Sequence, residues 1–364
     1  MYFAFDAEQE QLRDAIKQFC LTRAPESEVR RLADGPQSYD SAVWAQACEQ
    51  LGLAALAIPE RFGGAGFGAV ELGIAVEEAG AALLCLPLLA TNLAAQALLL
   101  LADDPAREQY LPAVAAGTTI ATVALRGSGV GGLDAGAELP VLDGGRVTGS
   151  CPWVPDADSA GLVVMLVRDG ERIVPAVVEL PADGVSLERV ESVDPTRRHF
   201  HLGLQQAAAA VVGPESESPR QQLLDVARVL IATEQLGVAQ RALDMACDYG
   251  KVREQFGRPI GSFQAIKHTL ASVLLEVESA RSAVWFGLWA AQHDPAQLPL
   301  ASRIAGATSG DCALQATSEC IQVHGGIGMT WEHPAQLYYK RALVNRQFLG
   351  DPQQQRAEIA ARIL

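Results

Sequence analysis

The 364-residue sequence has few aromatic residues, no Cys-x-x-Cys spacing and no excess of positive charge. Aromatic residues make up 6% of the chain, and the formal net charge is −15. Because polyanions repel a protein of this charge, nucleic-acid and anionic-membrane partners are not expected. An anionic ligand would need a local site made of basic side chains or helix N-termini.

The seven cysteines are far apart in the sequence. They are predicted to be small buried residues of a protein from a reducing compartment. His, Cys, Asp and Glu show no metal-ligand spacing, so no bound metal is predicted. Residues 1–8 lack the basic and long apolar segments of a signal peptide, and a cytoplasmic location is therefore expected.

The most apolar window, residues 81–102, is long enough to span a membrane. It contains Pro87, Asn92 and Gln96, however. A proline and buried amides are more typical of packed soluble helices than of a lipid-facing span. We therefore predict two buried helices that are separated near Pro87.

Composition and periodicity change twice along the chain. Residues 1–118 show apolar positions at helical spacing and are predicted to form a helical domain. Residues 119–213 contain short β-rich runs separated by Asp-Gly turns, which predicts a small antiparallel β domain. Residues 214–364 return to long apolar helices with short connections, which is typical of an antiparallel bundle.

Three glycine-containing segments are the most specific motifs of the chain: Pro59–Gly64, Arg253–His268 and Gln322–Gly328. In the second segment, Arg253 offers a fixed fork of donors that suits a pyrophosphate. The third segment follows a predicted helix, so it is not a dinucleotide-binding fingerprint. Its glycines would expose backbone N–H groups to a phosphate.

In the order of its domains and in these segments, the sequence resembles the acyl-CoA dehydrogenases, FAD enzymes that desaturate acyl-CoA thioesters. The resemblance covers nearly the whole chain and implies an α+β fold. This fold has an N-terminal all-α domain, a middle antiparallel β domain and a C-terminal four-helix bundle. The resemblance also implies FAD contacts, partly across subunits, from Arg253, Gln255, Phe256, Gln264, Gln322, Gly325 and Gly326.

The β domain contributes one further candidate to the flavin site. Trp153 matches a tryptophan that lies against the flavin ring in relatives, and core packing is the alternative role. Near Trp153, Pro155 replaces a residue that is usually threonine. The loop Leu125–Gly132 keeps the glycines of its counterpart in relatives but lacks the acid, so the resemblance is weaker there.

Leu349, followed by Gly350, occupies the position at which many relatives carry the catalytic glutamate. Desaturation needs a base for the α-proton, an acceptor for the β-hydride and donors that polarise the thioester carbonyl. Leu349 can supply a donor through its amide, so Leu349 and Gly350 are predicted to contact substrate. It cannot act as the base. The second position used by relatives corresponds to Ala227, which also lacks an acid.

Glu234 is the leading candidate for the missing base. It follows Ala227 by about two helical turns and lies on the same helix face. A carboxylate without a partner on an apolar face tends to have a raised pKa, which suits a general base. A position facing solvent or a polar pocket between subunits is the alternative. The neighbours three and four residues away along the helix are Leu230, Ile231, Gly237 and Val238.

Two further residues are assigned roles near the reacting carbons. Asp351 is the second candidate for the base, although it precedes Pro352 and is also suited to capping the last helix. Arg228 is predicted to contact substrate, with a structural ion pair as the alternative.

The sequence thus predicts an FAD-dependent acyl-CoA dehydrogenase that passes electrons to an electron-transfer flavoprotein. The pattern around Glu234 resembles members that act on bulky or sterol-derived acyl groups, several of which are complexes of two related chains. The predicted assembly is a homo-oligomer or a heterotetramer with a paralogous chain. The alternatives are a non-catalytic or half-site subunit of such a complex, and an acyl-CoA oxidase.

Overall fold

The computed structural model describes residues 5–125 and 138–364. The first part is helical, as predicted, and a 3₁₀ turn at Glu60–Phe62 lies in the first glycine segment. The helices are α1 (Ala7–Arg23), α2 (Glu26–Asp34), α3 (Ser41–Leu51), α4 (Ala69–Ala81), α5 (Leu88–Leu101) and α6 (Asp104–Ala115). The predicted break near Pro87 is confirmed, because α4 ends at Ala81 and α5 begins at Leu88.

Helix α5 is the most apolar of these helices and is buried on almost all sides. Its amide Asn92 is accommodated because the side-chain N–H donates to the carbonyls of Leu53 and Leu88, each at 3.0 Å. Among the described residues, no helix combines the length and the apolar character needed to cross a membrane.

The middle part forms one sheet. Its strands are β1 (Ala121–Ala124), β2 (Val141–Asp143), β3 (Arg146–Pro155), β4 (Leu162–Asp169), β5 (Arg172–Glu179), β6 (Val185–Val190), β7 (His199–Ala208) and β8 (Ala210–Val211). The strands follow the order β6-β7-β3-β2-β4-β5-β8, and β1 pairs with β4. Buried residues from the long strands, including Val147, Val178 and Leu202, form the core of the sheet.

The sheet differs from the sequence prediction in one respect. It is mainly antiparallel, but β1 and β2 each pair with β4 in parallel. Strand β7 lies within the predicted β domain, and its buried Leu202 and Leu204 alternate with more exposed residues. Strand β7 pairs with both β3 and β6. The loop Leu125–Gly132, noted in the sequence, falls largely outside the described residues.

The last part contains five helices and a small hairpin. The helices are α7 (Glu217–Val252), α8 (Gln264–His293), α9 (Leu298–His324), α10 (Ala335–Gln347) and α11 (Pro352–Ile363). Strands β9 (Glu254–Gln255) and β10 (Arg258–Pro259) pair between α7 and α8. The glycine run Gly325–Met329 forms a 3₁₀ turn after α9. Proline occupies the first turn of α9 and of α11, where its missing N–H is not needed.

By contacts the chain divides into two compact units. The first comprises Met1–Arg30, Gly73–Leu84 and Arg228–Leu364, and the second comprises Arg31–Leu72 and Cys85–Ala227. Helices α4 and α7 contribute to both units. The boundaries of the three domains expected from the sequence stay predictions.

Within the first unit, α4 and α7 cross at very short distance. A Cβ atom added to Gly237 would lie 1.9 Å from the carbonyl oxygen of Glu77, and one added to Gly80 would lie 2.4 Å from the carbonyl oxygen of Glu234. Only glycine leaves room for the two backbones to approach in this way. This crossing fixes the turn of α7 that carries Glu234.

Candidate active site and cofactor segments

Glu234 lies inside the first unit, where α7 packs near α10. Its side chain accepts a hydrogen bond from the Arg341 guanidinium at 3.1 Å and another from the Asn345 amide. The three residues are buried, and Arg341 is 1% exposed. The expectation of a carboxylate without a partner is therefore wrong. The neighbours along α7 are apolar, as predicted, but the partner comes from a different helix.

Asp351 lies at the start of α11, and its carboxylate caps this helix. The Asp351 carboxylate accepts a hydrogen bond from the Gln354 N–H at 2.8 Å, and the Gln354 side chain accepts one from the Asp351 N–H at 3.0 Å. These reciprocal bonds form a capping box. The capping role that the sequence suggested for Asp351 is confirmed.

The loop between α10 and α11 brings three of the predicted residues together. The Leu349 carbonyl accepts a hydrogen bond from the Gln355 side chain at 2.8 Å and lies 3.5 Å from Nε of Arg228. The Gly350 carbonyl lies 3.4 Å from the same Gln355 amide. Arg228 is buried, so its contact with this loop is an internal one.

The carbonyl of Leu349 has a hydrogen-bond partner, whereas its backbone N–H has none among the described residues. Within residues 5–125 and 138–364, no hydrogen bond to this N–H is found. Leu349 is nonetheless buried, with 9% of its surface exposed. More than nine in ten buried backbone N–H groups in proteins have a partner. The loop therefore holds a donor that is free to bind a ligand.

The Arg253 segment forms the hairpin β9–β10, whose base is held by two backbone bonds. The Arg253 N–H donates to the Tyr249 carbonyl at 2.9 Å, and the Ile260 N–H donates to the Arg253 carbonyl at 2.8 Å. Phe256, at the tip, is 93% exposed and has a φ of +54°. Left-handed backbone is rare for an aromatic residue and often marks a functional position. Arg253, Gln255 and Gln264 are exposed.

The glycine run after α9 lies near the base of this hairpin. The His324 ring stacks on the Tyr249 ring with centroids 4.3 Å apart, so the two predicted cofactor segments are neighbours within the first unit. A Cβ atom added to Gly325 or Gly326 would meet nothing within 4 Å, and Gln322 is exposed. The Gly325 N–H itself donates to the carbonyls of Gln322 and Ile321. The open space at Gly325 and Gly326, with the exposed Arg253 and Phe256 of the hairpin, fits a dinucleotide such as FAD.

Trp153 belongs to the second unit. It lies in β3, at an irregularity in the pairing with β7 between Cys151 and Val154. Its φ is +60°, and its ring is 5.4 Å from the buried His199 ring. The irregularity turns the indole out of the regular strand pattern and leaves it partly exposed. Trp153 is therefore not an ordinary core residue of the sheet.

A separate cavity of about 350 Å³ lies within the first unit. It is lined by parts of α1, α4, α7 and α10, and none of the predicted site residues lines it. Burial and the nearby charge of Glu78 raise the pKa of its Cys20 thiol to about 12, so this thiol stays protonated. The cavity lining also includes the carboxylates Glu77 and Glu78.

Comparisons with known proteins agree with this fold. The family descriptions "Acyl-CoA dehydrogenase, N-terminal domain" and "Acyl-CoA dehydrogenase, C-terminal domain" match residues 6–118 and 219–364. Acyl-CoA dehydrogenase IpdE2 of Mycolicibacterium smegmatis is 35% identical over 358 residues, which cover 98% of this chain and 99% of the relative.

Two solved structures extend the comparison. A variant of the Tcur3481–Tcur3483 steroid ACAD is 31% identical, with a TM-score of 0.89 over 98% of this chain and 97% of that chain. The ChsE4–ChsE5 complex from Mycobacterium tuberculosis is 25% identical, with a TM-score of 0.90 over 100% of this chain and 99% of that chain.

Fold and sequence together define a flavoprotein oxidoreductase. The chain belongs to the acyl-CoA dehydrogenase family, whose members bind FAD. The residues that sequence reasoning missed are Arg341, Asn345 and Gln355. No local pattern marks them, because each acts on a residue of another helix or loop.

Proposed function

We propose that this protein takes part in the FAD-dependent α,β-desaturation of an acyl-CoA thioester. The observation that carries the proposal is the N–H of Leu349, a buried residue, which has no partner among the described residues. Such a donor suits the thioester carbonyl, on which negative charge develops as the α-proton leaves. Arg228 and Gly350 are the other proposed substrate contacts.

The proposed FAD contacts are the residues predicted from the sequence. When bound, FAD supplies the acceptor for the β-hydride. The exposed Arg253 fork suits the pyrophosphate, and the open backbone at Gly325 and Gly326 suits a phosphate or ribose. Phe256 and Trp153, both held at positive φ, offer flat apolar surfaces. Gln255, Gln264 and Gln322 complete the set.

The proposed substrate class and electron acceptor are supported by the relatives. A steroid ACAD is among the similar solved structures, which supports a bulky or sterol-derived acyl group. An electron-transfer flavoprotein is the proposed acceptor. Peroxide formation in air, with no other acceptor present, would indicate an acyl-CoA oxidase instead.

Two candidate functions differ in which chain supplies the base for the α-proton. In the first, Glu234 takes the α-proton after exchanging its contact with Arg341 for the substrate, and the chain is a complete enzyme; Asp351 is the lesser candidate. In the second, a paralogous partner chain supplies the base. The second function is favoured because both candidate carboxylates already have partners within this chain. Glu234 is bound by Arg341 and Asn345, and Asp351 is part of a capping box. The ChsE4–ChsE5 complex is a two-chain relative.

The test measures reduction of a dye acceptor by the FAD-loaded chain with a panel of CoA esters, alone and with a co-expressed paralogue. Glu234→Gln abolishes activity if Glu234 is the base. Because Glu234→Gln removes the negative charge beside the buried Arg341, the double variant Glu234→Leu/Arg341→Met is the control. A double variant that folds and retains activity excludes Glu234 as the catalytic base. Activity only with the paralogue supports the second function.

A further inference from the structure

We propose that Gln355 is a positioning residue that fixes the Leu349–Gly350 loop and so keeps the Leu349 N–H directed to the substrate. The inference rests on the proposed function and deepens it. Gln355 lies near the start of α11 and is 2% exposed. Its side-chain amide donates to the Leu349 carbonyl at 2.8 Å and approaches the Gly350 carbonyl at 3.4 Å.

These bonds restrain the loop on both sides of Leu349. Upstream, the Phe348 N–H donates to the Asn345 carbonyl at 3.2 Å, which continues the end of α10. Downstream, the Gln355 amide holds two consecutive carbonyls. The backbone of Leu349 is thus fixed between two anchored peptides, and its own N–H is the donor left between them.

The fit between Gln355 and Gly350 is specific. Gly350 has a φ of +98°, which glycine adopts at little cost. A Cβ atom at this position would lie 2.9 Å from the Gln355 side-chain nitrogen. Any larger residue would displace the amide from the carbonyls that it binds.

The side chain of Gln355 has no other polar role among the described residues. Its side-chain oxygen is buried without a hydrogen-bond partner there. A buried unpaired acceptor is destabilising, so an apolar side chain of the same length would suit packing alone better. What Gln355 contributes is the conformation of the loop. Arg228 also approaches the Leu349 carbonyl, but at 3.5 Å, which is long for a hydrogen bond.

The experiment uses the FAD-loaded protein and two CoA compounds that differ at one group. Pivaloyl-CoA is a thioester without an α-hydrogen, so it binds without reacting, and S-neopentyl-CoA replaces its carbonyl by a methylene group. Calorimetric titration measures the affinity for each. Gln355→Met removes the donor at constant length. Gln354→Met is the matched control, because Gln354 is adjacent and exposed, and among the described residues its side chain bonds only to Asp351.

The wild type and Gln354→Met are expected to prefer the thioester by about fivefold, the typical value of one hydrogen bond. Gln355→Met is expected to bind both compounds equally and to keep its FAD. Gly350→Ala, which displaces the Gln355 amide, gives the same result by a different change. If both variants keep the thioester preference, Gln355 has no positioning role. A wild type that binds the compounds equally, or binds neither, overturns the Leu349 donor itself.

Discussion

Phe256 combines high exposure with a strained backbone at the tip of the β9–β10 hairpin. It is 93% exposed, and nearby Phe263 makes only an edge contact with it, at 6.1 Å between ring centroids. A large apolar surface at a strained position is costly unless something covers it. We propose that bound FAD packs against the Phe256 ring.

We expect Phe256→Ala to weaken FAD binding and to change the free energy of unfolding of the FAD-free chain by less than about 0.5 kcal/mol. Fluorescence titration with FAD and urea unfolding measure the two effects. Ile363→Ala is the control, because Ile363 is 65% exposed near the end of α11. The Arg303–Glu358 ion pair places this part of α11 beside the start of α9, whereas the glycine run follows the end of α9. Unchanged FAD affinity in Phe256→Ala would remove this residue from the cofactor site.

The partner of Glu234 could not be predicted from the sequence pattern. Its apolar surroundings along α7 are visible in the sequence, but Arg341 is 107 positions away. Helical spacing identifies neighbours within one helix only. The partner of a buried charge on another helix depends on how the helices pack, and this is why the expectation of a free carboxylate was wrong.

At the scale of elements, the crossing of α4 and α7 depends on two glycines. Gly237→Ala places a Cβ atom 1.9 Å from the Glu77 carbonyl oxygen. We expect this overlap to lower the free energy of unfolding by about 1–3 kcal/mol, although alanine is the better helix former.

Gly306→Ala is the matched control for this crossing. Gly306 is also inside a helix, α9, but its added Cβ atom would lie no closer than 3.9 Å to a neighbouring atom. It should gain about 0.5–1 kcal/mol from helix propensity alone. Urea unfolding at one fixed FAD concentration compares the two variants. Equal effects would mean that the crossing relaxes without cost.

The start of α10 is expected to depend on pH through His333. Its Nδ1 atom accepts a hydrogen bond from the Ala335 N–H at 3.2 Å, and this bond requires Nδ1 to be unprotonated. Burial and the neighbouring His324 lower the pKa of His333 from its ordinary value of 6.5; the charge of Glu26 opposes this shift, and that of Arg30 adds to it.

Because the folded-state pKa of His333 is the lower one, its contribution to stability is complete above about pH 6.5 and is lost as pH falls through the folded-state value. His333→Asn keeps a side-chain acceptor that does not titrate. Urea unfolding between pH 5 and 8 should show the wild type losing stability relative to this variant at the acid end. Parallel curves would exclude a role for His333.

At the scale of the whole molecule, we propose that exposed apolar residues contribute to the contact between subunits. Leu275 on α8 is 70% exposed, and Met329 after the glycine run is 72% exposed. With a net charge of −15, long-range attraction to another acidic chain does not explain association, so buried apolar area would have to drive it. Subunit contact is also what the predicted cross-subunit FAD site requires.

We expect Leu275→Glu to lower the mass measured by light scattering, because a charge would be buried in the interface. Flavin should be lost on dilution more readily than from the wild type. Leu21→Glu is the control, since Leu21 is 66% exposed on α1 and undergoes the same change. An unchanged mass in Leu275→Glu would place the interface elsewhere.

The sequence by itself determined the family and the order of helices, sheet and helices, and it identified the segments proposed to bind FAD. These are encoded locally, in periodicity, turns and short motifs, and can be recognised without knowing which elements meet. The same locality explains the cap at Asp351 and the helix break near Pro87. The parallel pairing of β1 with β4 is not local and was not foreseen.

Only the tertiary structure decided the state of the candidate catalytic groups. The pairing of Glu234 with Arg341, the anchoring of Leu349 by Gln355 and the unpartnered Leu349 N–H all depend on how separate helices and loops meet. The physical reason is that the energy of a buried polar group depends on its partners in space. Those partners come from helices and loops that only folding brings together.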